Sequence, residues 1–282
     1  MSNSALVLEG GGMRGAYTAG VLDYLMEKGV SFDSIYGVSA GALTGANFKA
    51  GQIGRGLRTF ASYLHDERYA GPQHLIKTGD WFNIDFSYNQ IPNELDPADY
   101  SAFDSSSVNF YSVVSNVETG KAEYIKITDL RKQMDRLRAS ATLPLLSNIV
   151  EYESKKYLDG GSCDSIPLKK SMEDGHSKNL VVLTQHRGFT KKPSANRYAC
   201  RVMYKKYPNF VKAMDNRHHM YNRQLKLVYE MEKKGKAFVI QPANKVEVSR
   251  LEKNPARLVE LYHQGKQDAA RCYKQLIEYL DR

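Results

Sequence analysis

The first 51 residues alternate between short apolar runs and helical stretches, and nearly every change of state falls on glycine. Residues 5–8 are apolar throughout, as a strand buried on both faces of a parallel sheet must be. Gly10-Gly11-Gly12-Met13-Arg14-Gly15 breaks that run. Residues 16–28 then carry Ala19, Leu22, Leu25 and Met26 at helical spacing, with Gly29 placed to end the helix. Residues 35–38 read as a second strand, and 40–50 as a helix of small residues closed by Gly51. Parallel neighbours need a crossover connection, so strands alternating with helices predict an α/β fold around a mainly parallel central sheet.

Residues 55–105 have no clear period but many aromatics: Phe60, Tyr63, Tyr69, Trp81, Phe82, Phe86 and Tyr88. A long segment of this kind reads either as a lid or binding loop or as helices without a visible phase. Residues 108–114 and 122–127 read as strands around the turn Glu118-Thr119-Gly120-Lys121, and 129–138 as a polar helix. Residues 156–158 form a short strand that runs into Asp159-Gly160-Gly161, and 180–183 are the last core strand of the body. Beyond residue 189, Phe210, Met214, Tyr221, Leu225 and Val228 mark one face of a long helix, and residues 237–240 read as a strand. Asn254 and Pro255 open a final helix whose buried side carries Leu258, Leu261, Ala269, Cys272, Leu276 and Leu280. The reading is a body, residues 1–188, with a mostly helical extension, residues 189–282, packed on it.

Charge divides the chain at the same place. The net charge is +9, yet residues 189–282 hold 21 Lys and Arg against 9 Asp and Glu, leaving 19 against 22 in the first 188. A basic C-terminal third points to an anionic surface, or to solvated helix faces that happen to be lysine-rich. No nucleic-acid motif accompanies it, so nucleic acid is not the expected partner and a lipid surface is. In particular Tyr198, Tyr204, Tyr207 and Phe210 alternate with Lys205, Lys206 and Lys212, a pattern suited to docking on anionic phospholipid. Cys163, Cys200 and Cys272 are too scattered for a disulfide framework or a zinc site. No apolar run approaches the ~18 residues of a membrane span, and the N-terminus lacks a signal-peptide pattern. The expectation is a cytoplasmic protein with peripheral contact to an anionic membrane.

Three short motifs carry chemistry. Gly37-Val38-Ser39-Ala40-Gly41 has the G-x-S-x-G form of a nucleophile elbow, with a strand before and a helix after. Gly10 to Gly15 fits either a dinucleotide loop, with Asp33 near the distance of a ribose-binding acid, or an oxyanion hole of unobstructed backbone amides. The strand at residues 35–38 begins after Asp33 instead of ending at it, which favours the oxyanion hole. A nucleophilic serine needs a base. Among His65, His74, His176, His186, His218, His219 and His263, the best placed is His186, just after a core strand; Asp159, before two glycines, competes with it.

Taken together and in this order, the Gly-rich block, the Ser39 elbow and Asp159-Gly160-Gly161 resemble the three signature blocks of the patatin-like phospholipases. Asn116-Val117-Glu118-Thr119-Gly120 and Ser140-Ala141-Thr142-Leu143-Pro144 are similar as well. The resemblance covers roughly residues 5–185; the rest looks like the C-terminal extension of a bacterial subgroup. It implies a three-layer α/β/α fold and a lipid acyl hydrolase with a Ser-Asp dyad and no metal or cofactor. Ser39 would be the nucleophile, Asp159 the base, and the amides of Gly11, Gly12 and Met13 the oxyanion hole. Arg14 would brace the loop, with Gly10, Gly15, Gly37, Gly41, Gly160 and Gly161 supporting the turns. The substrate would be a lipid ester, with the aromatic segment as acyl-pocket wall or lid. A dyad needs no histidine, so activity would persist below pH 6. Two other classes remain open: a nucleotide-binding oxidoreductase using the Gly-rich loop, and a catalytically silent membrane-binding module.

Overall fold

The apolar runs at the N-terminus form the centre of the sheet. In the computed structural model, which describes residues 3–281, the strands are β1 (Ser4–Leu8), β2 (Ser34–Val38), β3 (Asn109–Asn116), β4 (Lys121–Lys126), β5 (Val150–Tyr152), β6 (Lys155–Asp159), β7 (Lys178–Val182) and β8 (Ala237–Ile240). β1 and β2 are buried at every residue. β1 lies between β2 and β7, all parallel; β3 extends the sheet beyond β2 and β8 extends it beyond β7, again in parallel. β4 runs antiparallel along one edge of β3. The other edge of β3 is shared. β2 pairs with residues 109–113, and β6 comes in from the opposite direction against residues 114–116, with β5 beyond it.

The helices are α1 (Gly15–Glu27), α2 (Ala40–Lys49), α3 (Arg55–Ala61), α4 (Pro72–Thr78), α5 (Tyr100–Ser105), α6 (Met134–Ser140), α7 (Leu168–Glu173), α8 (Arg197–Met203), α9 (Pro208–Lys233) and α10 (Pro255–Asp281). Successive strand residues face opposite sides of the sheet. Leu6, Leu8, Leu180 and Val182 therefore point to one layer with α1, α2 and α10, while Val7 and Val181 meet α7 and α9 on the other. This is a three-layer α/β/α arrangement.

The last helix belongs to the first of those layers. A Cβ on Gly20 would lie 1.9 Å from the Tyr262 carbonyl oxygen, and one on Gly265 2.2 Å from that of Tyr17. Paired glycines thus let the backbones of α1 and α10 meet more closely than any side chain permits. Tyr17 Oη donates to Asp268 (2.9 Å) and Tyr262 Oη to Asp23 (2.8 Å), locking the contact from both helices. Leu258, Leu261, Ala269 and Leu276 are buried on this face as their spacing predicted, with Cys272 and Leu280 packed at its margin.

One alternative resolves and two local readings change. Of the two readings of residues 55–105, short helices are found: α3, α4, a π-helical segment Phe86–Leu95 and α5, joined by turns; Pro92 inside the π-helix interrupts any regular period. The polar helix expected from residue 129 starts at Met134. Before it, Gln133 Oε1 accepts from the amides of Thr128 (2.8 Å) and Asp129 (3.1 Å), so its side chain closes a turn there. Tyr204 and Phe210, read as membrane-facing, are buried and packed edge to face at 5.2 Å. Tyr204 Oη accepts from the Leu145 amide. Among the described residues, no helix is long and apolar enough to cross a membrane.

Candidate active site

The register of β3 brings two of the three motifs together. Val38, the last residue of β2, pairs with Val113, and Asp159, the last residue of β6, pairs with Val114 on the same edge. Two chains running in opposite directions therefore end next to one another. Each then turns sharply. A Cβ on Gly160 would lie 2.1 Å from the Val113 carbonyl oxygen, and one on Gly41 2.7 Å from that of Leu8, so both turns depend on a missing side chain. Gly37 is similarly pressed on Ala42, and Gly161 faces Asp159 Oδ1 and Arg217.

Ser39 takes the strained elbow conformation, φ 54° and ψ −123°, at the N-terminus of α2. Its amide donates to Ser140 Oγ (2.8 Å), which in turn donates to the Val113 carbonyl (2.6 Å). Ser140 is thus a clamp between the elbow and β3. Sequence reasoning quoted Ser140 only within a motif and did not see this role; a small hydroxyl residue at the end of a helix was its one signal.

Asp159 is 4 % exposed and Ser39 5 %. Asp159 Oδ1 accepts from the Gly161 amide (2.8 Å), while Oδ2 is buried without a hydrogen-bond partner among the described residues. Burial raises the proton affinity of this carboxylate. The Ser39 hydroxyl, Arg217, the Gly161 amide and Arg250 oppose that rise, in this order. The Ser39 hydroxyl is thus close enough to favour the charged carboxylate, although no hydrogen bond joins the two among the described residues.

The Gly-rich loop leaves the C-terminal end of β1 at this same corner. A Cβ on Gly10 would lie 3.1 Å from Ser39 Cβ, and one on Gly15 2.7 Å from Ala40 Cβ. Glu9 is buried and held by the Thr184 amide, Thr184 Oγ1 and Tyr221 Oη. Gly12 has φ +58°. The amides of Gly11 and Gly12 have no acceptor among the described residues. Met13 differs from the expectation: its amide donates to the Arg250 carbonyl (3.1 Å), which also sits 2.6 Å from where a Gly12 Cβ would be. The Nε of Arg14 is buried and has no hydrogen-bond partner among the described residues.

Beside Ser39 lies a cavity of about 140 Å³, walled by Phe60, Tyr69, Phe82, Tyr88, Leu137 and Leu143 among others. Four of these six come from the aromatic segment. The other candidates lie elsewhere. Asp33 accepts from Ser4 N and Oγ at the start of β1, the opposite end of that strand from the Gly-rich loop. His186 packs against Phe189, has a buried Nδ1 without a partner, and makes no hydrogen bond to Ser39.

Residues 6–170 match the patatin-like phospholipase family, and residues 207–281 match a domain of unknown function, DUF6363. The uncharacterized protein YjjU of Escherichia coli is 34 % identical over 185 residues, covering 64 % of this chain and 51 % of YjjU. Lysophospholipase nte1 of Aspergillus terreus is 29 % identical over 173 residues, 58 % of this chain and 10 % of the fungal protein. The chain therefore corresponds to about half of the first relative and a small part of the second. Among solved structures, VipD from Legionella pneumophila aligns over 100 % of this chain and 67 % of its own, with 15 % identity and a TM-score of 0.45.

Proposed function

This chain belongs to the patatin-like phospholipase family, and on that premise we propose that it is a lipid acyl hydrolase working through Ser39 and Asp159. The observation that carries the reading is the shared β3 edge, which sets the elbow serine beside a buried carboxylate with one oxygen uncommitted. In the first step Asp159 Oδ2 takes the Ser39 proton as Oγ bonds to the ester carbonyl carbon. An ordinary aspartate, with a pKa of ~3.9, is a weak base for this task. Burial strengthens it, because the desolvated carboxylate holds a proton more tightly. The amides of Gly11 and Gly12 and the N-terminal end of α2 face the charge that develops on the carbonyl oxygen. Collapse of the tetrahedral intermediate breaks the ester C–O bond, and the alcohol leaves with the proton from Asp159. Water then repeats the sequence on the acyl-enzyme, releasing a fatty acid and free Ser39.

The apolar cavity suits an acyl chain, and the name of the fungal relatives, lysophospholipase, supports a lipid ester as substrate. In this reading residues 1–188 form the catalytic domain and 189–282 an extension packed on it. Peripheral membrane contact falls to α8, where Tyr198, Val202 and Met203 are exposed next to Arg197, Lys205 and Lys206. The test is fatty-acid release from simple esters and phospholipids by the wild type, Ser39→Ala and Asp159→Asn. Turnover lost in both variants is the expected result; equal rates in all three proteins would refute the dyad.

A further inference from the structure

Four cations from separate parts of the chain converge beside the Gly-rich loop. Arg217, on α9, donates from Nε to the Gly161 carbonyl (2.5 Å), and its Nη2 lies 3.3 Å from where a Gly161 Cβ would be. Lys191 Nζ stands 4.0 Å from the centroid of Tyr221, whose hydroxyl holds Glu9. Arg250 places its carbonyl on the Met13 amide, and Arg14 lies in the loop with its Nε buried and unpartnered. No ion pair forms at any of the four among the described residues. Arg201 and Arg257, elsewhere in the same C-terminal region, each pair with a carboxylate. The two carboxylates at hand, Glu9 and Asp159, both favour the charged form of Arg217 but form no ion pair with it; Glu9 is held by Thr184 and Tyr221, and Asp159 accepts from the Gly161 amide and leaves Oδ2 for the candidate nucleophile.

This concentration of unpaired positive charge has a visible cost. Burial, then Arg217 and Arg250, push the Lys191 ammonium down to about 7, and burial followed by Arg250 pushes Arg217 down to about 10. Half-buried like charges are tolerated when an anion completes them, and the exposed Arg250 leaves the cluster open to one from solvent. Arg250 also lines the acyl cavity, so the cluster and the cavity adjoin. We propose that Lys191, Arg217 and Arg250, with Arg14, form an anion subsite that holds the phosphate of a glycerophospholipid while its acyl chain occupies the cavity and its ester meets Ser39. The proposal rests on the hydrolase reading and adds a headgroup class to it. Guanidinium forks and a point-charge ammonium suit the several oxygens of a phosphate. Lys191, Arg217 and Arg250 all lie beyond residue 170, where the family match ends. The subsite is therefore an addition made by the C-terminal region, and it accounts for part of that region's basic charge.

The test compares dihexanoyl phosphatidic acid with dihexanoylglycerol, which lacks only the phosphate. Lys191→Gln and Arg250→Gln are the variants, since neither side chain makes a hydrogen bond whose loss would disturb the fold. Each is expected to lower the kcat/KM preference for the phospholipid about tenfold, the scale of one charge-assisted hydrogen bond. Equal losses on both substrates would overturn the subsite and leave the cations a role at the oxyanion. Equilibrium binding of both lipids to Ser39→Ala separates this result from failure of the hydrolase reading. Phospholipid binding that weakens in the double variants Ser39→Ala/Lys191→Gln and Ser39→Ala/Arg250→Gln supports the subsite even if no turnover is found. Inorganic phosphate is the third ligand. If it binds as tightly as the phospholipid, the site takes free phosphate and the headgroup assignment falls.

Discussion

Ser140→Ala is the sharpest perturbation of the elbow, because it removes one oxygen and nothing else. That oxygen accepts from the Ser39 amide at 2.8 Å and donates to the Val113 carbonyl at 2.6 Å, in a residue with no exposed surface. Alanine leaves the Ser39 amide stranded where no solvent reaches it, at a cost of about 1–3 kcal/mol. The elbow conformation is itself unfavourable by about 1–3 kcal/mol, and Ser140 is the side chain that ties it to the sheet. Without the clamp the turn relaxes and Oγ moves away from Asp159. We expect urea denaturation to show a stability loss of about 1–3 kcal/mol, and kcat to fall about 10- to 100-fold, since 1.4 kcal/mol is tenfold in rate. KM should change little, because Ser140 does not line the acyl cavity. Cysteine, of similar size but a weaker acceptor, should fall between. A Ser140→Ala protein with wild-type stability and wild-type kcat would show that β3 and the glycines hold the elbow unaided, and would refute the clamp.

Two further outcomes follow from the geometry. Asp159 acts as base only when ionised, and burial raises its pKa, so activity should fall as pH drops through a value above the ordinary carboxylate range. That narrows the margin by which an acid limb alone distinguishes Asp159 from a histidine. The pH–rate profile of His186→Gln decides it: an unmoved acid limb is expected, and its disappearance would assign the base to His186. Gly265→Val would drive a branched side chain into the Tyr17 carbonyl, which lies 2.2 Å from the Cβ position. Separating α1 from α10 should cost about 1–3 kcal/mol or more in denaturation experiments; a variant as stable as the wild type would mean that the helix contact does not depend on backbone proximity.

The legible parts of the fold were those whose burial is uniform or strictly periodic. β1 and β2 bury every residue, so they read as unbroken apolar runs, and α10 shows its stripe because one side alone meets the core. Residues 55–105 were not legible because Phe60, Tyr69, Phe82 and Tyr88 point into a cavity from several short elements, including a π-helix whose side chains follow a different angular step. The aromatics of residues 198–210 misled for a related reason. Interleaved lysines look the same whether the rings between them face a membrane or, like Tyr204 and Phe210, face the protein's own core.

Glycine marks explain why the candidate site could be read at all. Wherever a turn must press its backbone against a neighbouring strand, only glycine fits, and that requirement is written in the chain whether or not the neighbour is known. By itself, then, the sequence determined the parallel core, the two sharp turns and the residues at their tips. Tertiary structure alone decided that the two turns end side by side on β3, that Ser140 clamps one of them, and that the Met13 amide is taken by Arg250. The physical reason is range: apolar period and glycine steric need act between residues a few positions apart, whereas Arg217 reaches Gly161 and Arg250 reaches the Met13 amide only once the chain is folded.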